Sequence, residues 1–113
     1  MKIAYCTLWN TIRVTDEFFL LPADEQIAIL LHEQGHIQHF HAVTRLMWVV
    51  SFFAVINAEG YFQMCERQEL EADAFVARMG LGEALARFVN RLPDEKALGY
   101  PWKSDRLAGL KNV

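Results

Sequence analysis

His32-Glu33-Gln34-Gly35-His36 lies in a stretch that opens at Pro22-Ala23-Asp24-Glu25, where proline and two acids suit the first turn of a helix running to about residue 39. On such a helix two histidines four residues apart stand about 40° from one another. Both imidazoles can therefore reach one metal ion, and Glu33 projects beside them to address a water molecule. Turning the helix at about 100° per residue places Ile27, Leu30, Leu31 and Ile37 on an arc away from His32 and His36. That arc is expected to anchor the helix in the core while the histidines face a polar cleft. Gly35 would let a neighbouring backbone come close.

A catalytic zinc needs a third protein ligand and an open fourth position. In the metzincin pattern the residues three and six beyond the second histidine are Gly and His; here they are His39 and Ala42, so that arrangement fails. A later helix, predicted over residues 62–79 and closed by Gly80, offers carboxylates instead. Glu69 and Asp73 share its face with Phe62, Cys65, Ala72 and Val76, whereas Glu71 falls on the opposite side with Arg67 and Arg78 and reads as a solvated charge. Two carboxylates on an apolar face are costly to bury unless a cation meets them. Glu69 is therefore assigned as third ligand of one Zn2+ per chain, with His32 and His36. Asp73 is assigned as the acceptor that fixes the tautomer of a ligand histidine. Glu66 is the alternative ligand. His39 and His41 read as cleft or structural residues, and Cys65 as a buried thiol.

Around this site the 113 residues, 53% of them apolar, suffice for one domain spanning 1–113. Residues 2–9 and 11–15, β-branched and aromatic, suggest two strands of a small N-terminal sheet; further helices are expected over 83–91 and 104–110. The class is α+β, a small sheet packed on a helical core. A net charge of −3 with no basic cluster argues against a nucleic-acid partner. Cys6 and Cys65 make no C-x-x-C pair and no export signal is visible, which points to a reducing, cytoplasmic setting. Residues 46–58 carry no charge but are too short to span a bilayer, and read as a buried helix in preference to a membrane-contacting one.

At these residues the chain resembles the gluzincin metallopeptidases of the CAAX prenyl endopeptidase and HtpX-like family, above all the small soluble minigluzincins. Residues 11–15 look like that family's edge strand, 28–41 like its H-E-x-G-H-x-x-x-x-H helix, and 67–77 like its R-x-x-E-x-x-A-D helix. Tyr100-Pro101 with Arg106, Leu107 and Leu110 is similar to its terminal element, with Tyr100 where the family usually has His. A weaker resemblance, carried by Glu69 to Ala77, is to ImmA/IrrE-type peptidases. The resemblance implies a zincin-like fold and a zinc-dependent endopeptidase. In it the ion acidifies a water and polarises a peptide carbonyl, and Glu33 takes the proton as general base. Tyr100 or Arg106 would stabilise the oxyanion, with Tyr61 and His41 as other candidates. Partners would be peptide or protein substrates, added alongside residues 12–15. It also suggests latency, the tail from Pro101 folding across the cleft as a zymogen. The alternatives are a metal-binding adaptor without turnover and a membrane-associated assembly protein.

Overall fold

The structure, a computed structural model, describes residues 3–6 and 11–111. The chain is mostly helical. A short antiparallel ribbon pairs β1 (Ala4–Cys6) with β2 (Ile12–Val14) in the register Ala4 to Val14 and Cys6 to Ile12. Residues 2 and 7–9 of the longer strand expected from the sequence lie outside the described residues, as does the end of the tail at 112–113. After a 3-10 turn at Asp16–Leu20 come α1 (Ala23–Gln38), α2 (His41–Val50), α3 (Phe53–Ile56), α4 (Ala58–Arg78), α5 (Gly82–Asn90) and α6 (Lys103–Lys111).

Helix α1 packs chiefly on α4, and Gly35 lets the two approach closely. A Cβ there would stand 3.1 Å from the Ala72 Cα and 3.2 Å from the Phe75 Cβ. Two apolar clusters flank this crossing. Ala28, Val76, Ala84, Leu85, Val89 and Leu110 join α1, α4, α5 and α6, while Ala4, Phe18 and Ile29 seat the ribbon against α1. Phe88 packs on both. At the start of α1, Glu25 is almost fully buried and accepts hydrogen bonds from Arg91 of α5, which tie the two helices together.

Three expectations are corrected. Helix α4 begins before Gly60, not after it, because Asn57 caps it: its side-chain oxygen accepts from the Gly60 N–H at 3.0 Å. The glycine that does end this helix is Gly80, with φ of +85°, a conformation natural to glycine after a helix. In α1 the buried stripe is Glu25, Ala28, Ile29, His32, Glu33, Gly35 and His36. It has helical period, but the histidines are on it, whereas Ile27 and Leu30 are exposed. The buried side of the helix is thus mixed: Ala28, Ile29 and Gly35 pack on apolar neighbours, and His32, Glu33 and His36 share that side because the surface met on α4 also bears carboxylates.

The third correction concerns residues 46–58. They do not form a buried helix. The chain breaks at Phe52, whose φ is +64°, into α2 and α3, and Met47, Val50, Phe52, Val55 and Ile56 are all well exposed. The inner side of α2 is polar instead, with Arg45 donating to Gln68 of α4. No helix among the described residues is long and apolar enough to cross a membrane.

Candidate metal centre

Helix α1 presents His32 and His36 to Glu69 and Asp73 on α4, and all four are less than a tenth exposed. His32 Nε2 lies 3.2 Å from Glu69 Oε2 and 3.1 Å from Asp73 Oδ1, and His36 Nε2 lies 3.3 Å from Glu69 Oε1. His32, His36 and Glu69 can each place a ligand atom within 4.8 Å of the others. Tetrahedral zinc with bonds near 2.0 Å separates its ligand atoms by about 3.3 Å. Each histidine nitrogen stands near that spacing from one of the two Glu69 oxygens, His32 from Oε2 and His36 from Oε1.

A second observation concerns direction. His32 Nε2 is buried and has no hydrogen-bond partner, even though two carboxylate oxygens lie within 3.2 Å. The oxygens are close enough but sit off the axis along which an imidazole N–H would donate. The electrostatics agree that positive charge belongs here. Burial alone would lower the His32 pKa, but Asp73, Glu33 and Glu69 outweigh it and hold it well above the ordinary imidazole range. Burial likewise works against charge on Glu69, and His32 and His36 override it to hold that carboxyl well below its usual range. A divalent cation would satisfy the same carboxylate while taking the lone pairs of both histidines, so the donor set fits a metal ion such as zinc.

The cluster forms part of the wall of a cavity of about 650 Å³, a size suited to a small ligand or a few residues of peptide. Glu33 lines it, buried, with Oε1 3.7 Å from His32 Nδ1. Tyr100 lines it from the loop before α6. Arg106 also lines the cavity, but its guanidinium is committed: Nε and Nη2 both donate to Asp73, each at 2.8 Å. This bidentate pair changes the expected role of Asp73. Its main partner is Arg106, and it approaches His32 at Nε2, the same nitrogen that faces Glu69, rather than at the remote ring nitrogen. Arg106 and His32 hold its carboxyl below the usual range against the effect of burial. Glu66, the alternative ligand, is paired with Lys96. Tyr61 packs near Trp48 and Phe62 and does not line the cavity.

His41 was expected as a cleft or structural residue, but three contacts escaped the sequence reading. Arg45 reaches from α2 to within 3.5 Å of Glu69 Oε1 and lines the cavity. His41 is buried, its Nδ1 2.7 Å from His36 Nδ1. Its Nε2 is 2.9 Å from Glu71 Oε2, so Glu71, half exposed as expected of a solvated charge, is also a partner of the site. Burial pushes the His41 pKa down, with Glu71 offsetting it only in part. The turn that delivers His41 is made at Phe40, whose φ of +54° carries no clear sequence signal. His39, one turn beyond His36, is exposed and bonds the Gly35 carbonyl.

A family model described as peptidase family M48 matches residues 4–99. The chain belongs to peptidase family M48. The comparisons with curated proteins and with solved structures return no match. As a member of M48 the chain is a metallopeptidase by family, a hydrolase acting on peptides or proteins. The matched span takes in His32, Glu33, His36 and Glu69; Tyr100 and Arg106 lie beyond it.

Proposed function

We propose that this chain is a zinc-dependent endopeptidase in which His32, His36 and Glu69 hold one ion and Glu33 is the general base. The observation that carries the reading is the convergence of these three ligand atoms within 4.8 Å of one another, one of them, His32 Nε2, buried and without a hydrogen-bond partner. A bound zinc ion supplies Lewis acidity, polarising the scissile carbonyl and acidifying water. Glu33 accepts the proton of the attacking water and returns it to the leaving amine. Tyr100, on the cavity wall, is the side chain offered as donor to the developing oxyanion. Arg106 serves instead to neutralise Asp73 and to hold α6 against α4. An extended peptide would enter alongside β2.

Residues 1–113 are read as one unit of zincin type, the gluzincin variant closest to the minigluzincins. Latency rests on Pro101, Lys103 and Arg106, which line the cavity. Leu110 sits in the core, so unmasking would require release of the first turn of α6 rather than loss of the helix. The test is zinc content of wild type, Glu33→Ala and Glu69→Ala, with cleavage of a quenched fluorogenic peptide library on the same samples. One zinc per chain in the first two, loss in the third, and cleavage by wild type alone is the expected result. Zinc without cleavage would support the adaptor or zymogen reading, and no zinc would overturn the proposal.

A further inference from the structure

We propose that Glu71 acts through His41 to fix the tautomer of His36, leaving His36 Nε2 free to hold a metal ion. The inference rests on the metal reading above, and it begins from two short contacts in series. Glu71 Oε2 is 2.9 Å from His41 Nε2, and His41 Nδ1 is 2.7 Å from His36 Nδ1. A carboxylate only accepts hydrogen bonds, so His41 must carry its proton on Nε2. A neutral imidazole has one such proton, which makes His41 Nδ1 an acceptor. Two ring nitrogens 2.7 Å apart need one proton between them, and the only remaining source is His36 Nδ1. His36 is then left with a bare lone pair on Nε2, the nitrogen that faces Glu69 at 3.3 Å.

The order of protons is therefore set from the far end of the chain of contacts. Removing the Glu71 carboxylate frees His41 to place its proton on Nδ1. It would then donate toward His36, and the His36 proton would move to Nε2, where it opposes a metal ion. The geometry suits such control because His41 is buried and fixed while Glu71 is half exposed and replaceable without opening the core. Glu71 and His41 are thus positioning residues that act through His36. His39, whose ring stacks on His41 at 5.4 Å, donates from Nδ1 to the Gly35 carbonyl and leaves the relay intact.

The test combines two readouts on the full chain with histidine labelled by nitrogen-15. Long-range proton–nitrogen correlation at pH 8 on metal-free protein reports which nitrogen of His36 and of His41 is protonated. Zinc affinity is measured by competition with a chromophoric chelator. Wild type is expected to carry protons on His36 Nδ1 and His41 Nε2. Glu71→Ala should shift both tautomers and weaken zinc binding about tenfold or more. Glu71→Gln, whose amide oxygen still accepts, should restore wild-type tautomers and most of the affinity. Glu83→Ala, which removes an exposed carboxylate elsewhere, should change neither. Wild-type His36 protonated on Nε2, or Glu71→Ala with tautomers and affinity unchanged, would overturn the relay. A chain that shows the expected protons but binds no zinc would overturn the metal reading and leave the proton order standing.

Discussion

Where α1 meets α4, His32, His36, Glu69 and Asp73 are between 3% and 8% exposed, whereas Val50, Phe52, Val55 and Ile56 on the α2–α3 side are between 66% and 79% exposed. The usual relation of polarity to burial is reversed in both places. Unpaired, each buried polar group would cost about 1–3 kcal/mol. The first region persists because its charges interlock, with Arg106 on Asp73, His32 between two carboxylates and Arg45 beside Glu69. The second forgoes about 1.5–3 kcal/mol for each large side chain left in water. Polarity here marks the part of the molecule that must be held rigid, and apolarity marks a part that contributes little to holding it.

The sharpest way to break this comparison is to unpair the buried cluster. Asp73→Ala leaves the Arg106 guanidinium, 12% exposed, without its carboxylate. A loss of about 3–5 kcal/mol in urea unfolding is expected. Adding Arg106→Leu should recover part of it; a cost under about 1 kcal/mol for the single change would show that the pair does not organise the contact. The same groups set the response to pH in metal-free protein. The pKa values of Asp73 and Glu69 are depressed in the folded state, so their contribution is fully present above their unfolded values, near pH 4, and is lost as pH falls through the folded ones. His32 has the opposite sign: its pKa is raised, so its contribution is present below its unfolded value and lost as pH rises through the folded one. Urea midpoints should therefore fall at both ends of the pH range. Asp73→Asn should flatten the acid limb, and an unchanged limb would remove Asp73 from the account.

Metal removal tests the region at the next level. With free zinc at a hundred times its Kd, the holo protein should be more stable than the chelated protein by about 2.7 kcal/mol, and the thermal midpoint should fall on chelation. No shift would mean that the folded chain does not bind zinc in preference to the unfolded one. Gly35→Val is the packing counterpart. It drives a branched side chain into Ala72 and Phe75 and should cost about 2 kcal/mol while parting Glu69 from the histidines, read as reduced zinc content.

Legibility in the sequence followed the same division. The pairing of His32, His36 and Glu69 could be found because helical periodicity alone brings i and i+4 together and sets one face of α4 apart. The direction in which α1 turns that face could not, since Ile27 and Leu30 read as an anchor whenever apolar means buried. The contact of His41 with Glu71 was missed for a related reason. Their contact depends on the left-handed turn at Phe40, and a wheel drawn on α4 alone sees Glu71 as outward. Residues 46–58 were misread because a charge-free run gives composition and not packing, and the break at Phe52 carries no glycine or proline to announce it.

The smallest effect expected is on the apolar side, and it sharpens the comparison because it should be nearly absent. Ile56 is 78% exposed, so Ile56→Ser removes little surface that folding had taken from water. Its cost should stay within about 0.5 kcal/mol. A hydrophobic-to-polar change of that kind in a packed segment would cost several times more. If urea unfolding instead shows a loss above about 1.5 kcal/mol, then this part of the chain is covered in solution, and its exposed apolar residues belong to the packed structure after all. A result near zero leaves this segment outside the packed structure, whose α1–α4 contact rests on Ala28, Gly35 and Val76 together with the buried histidines and carboxylates. The α2–α3 side then carries its apolar surface without structural consequence.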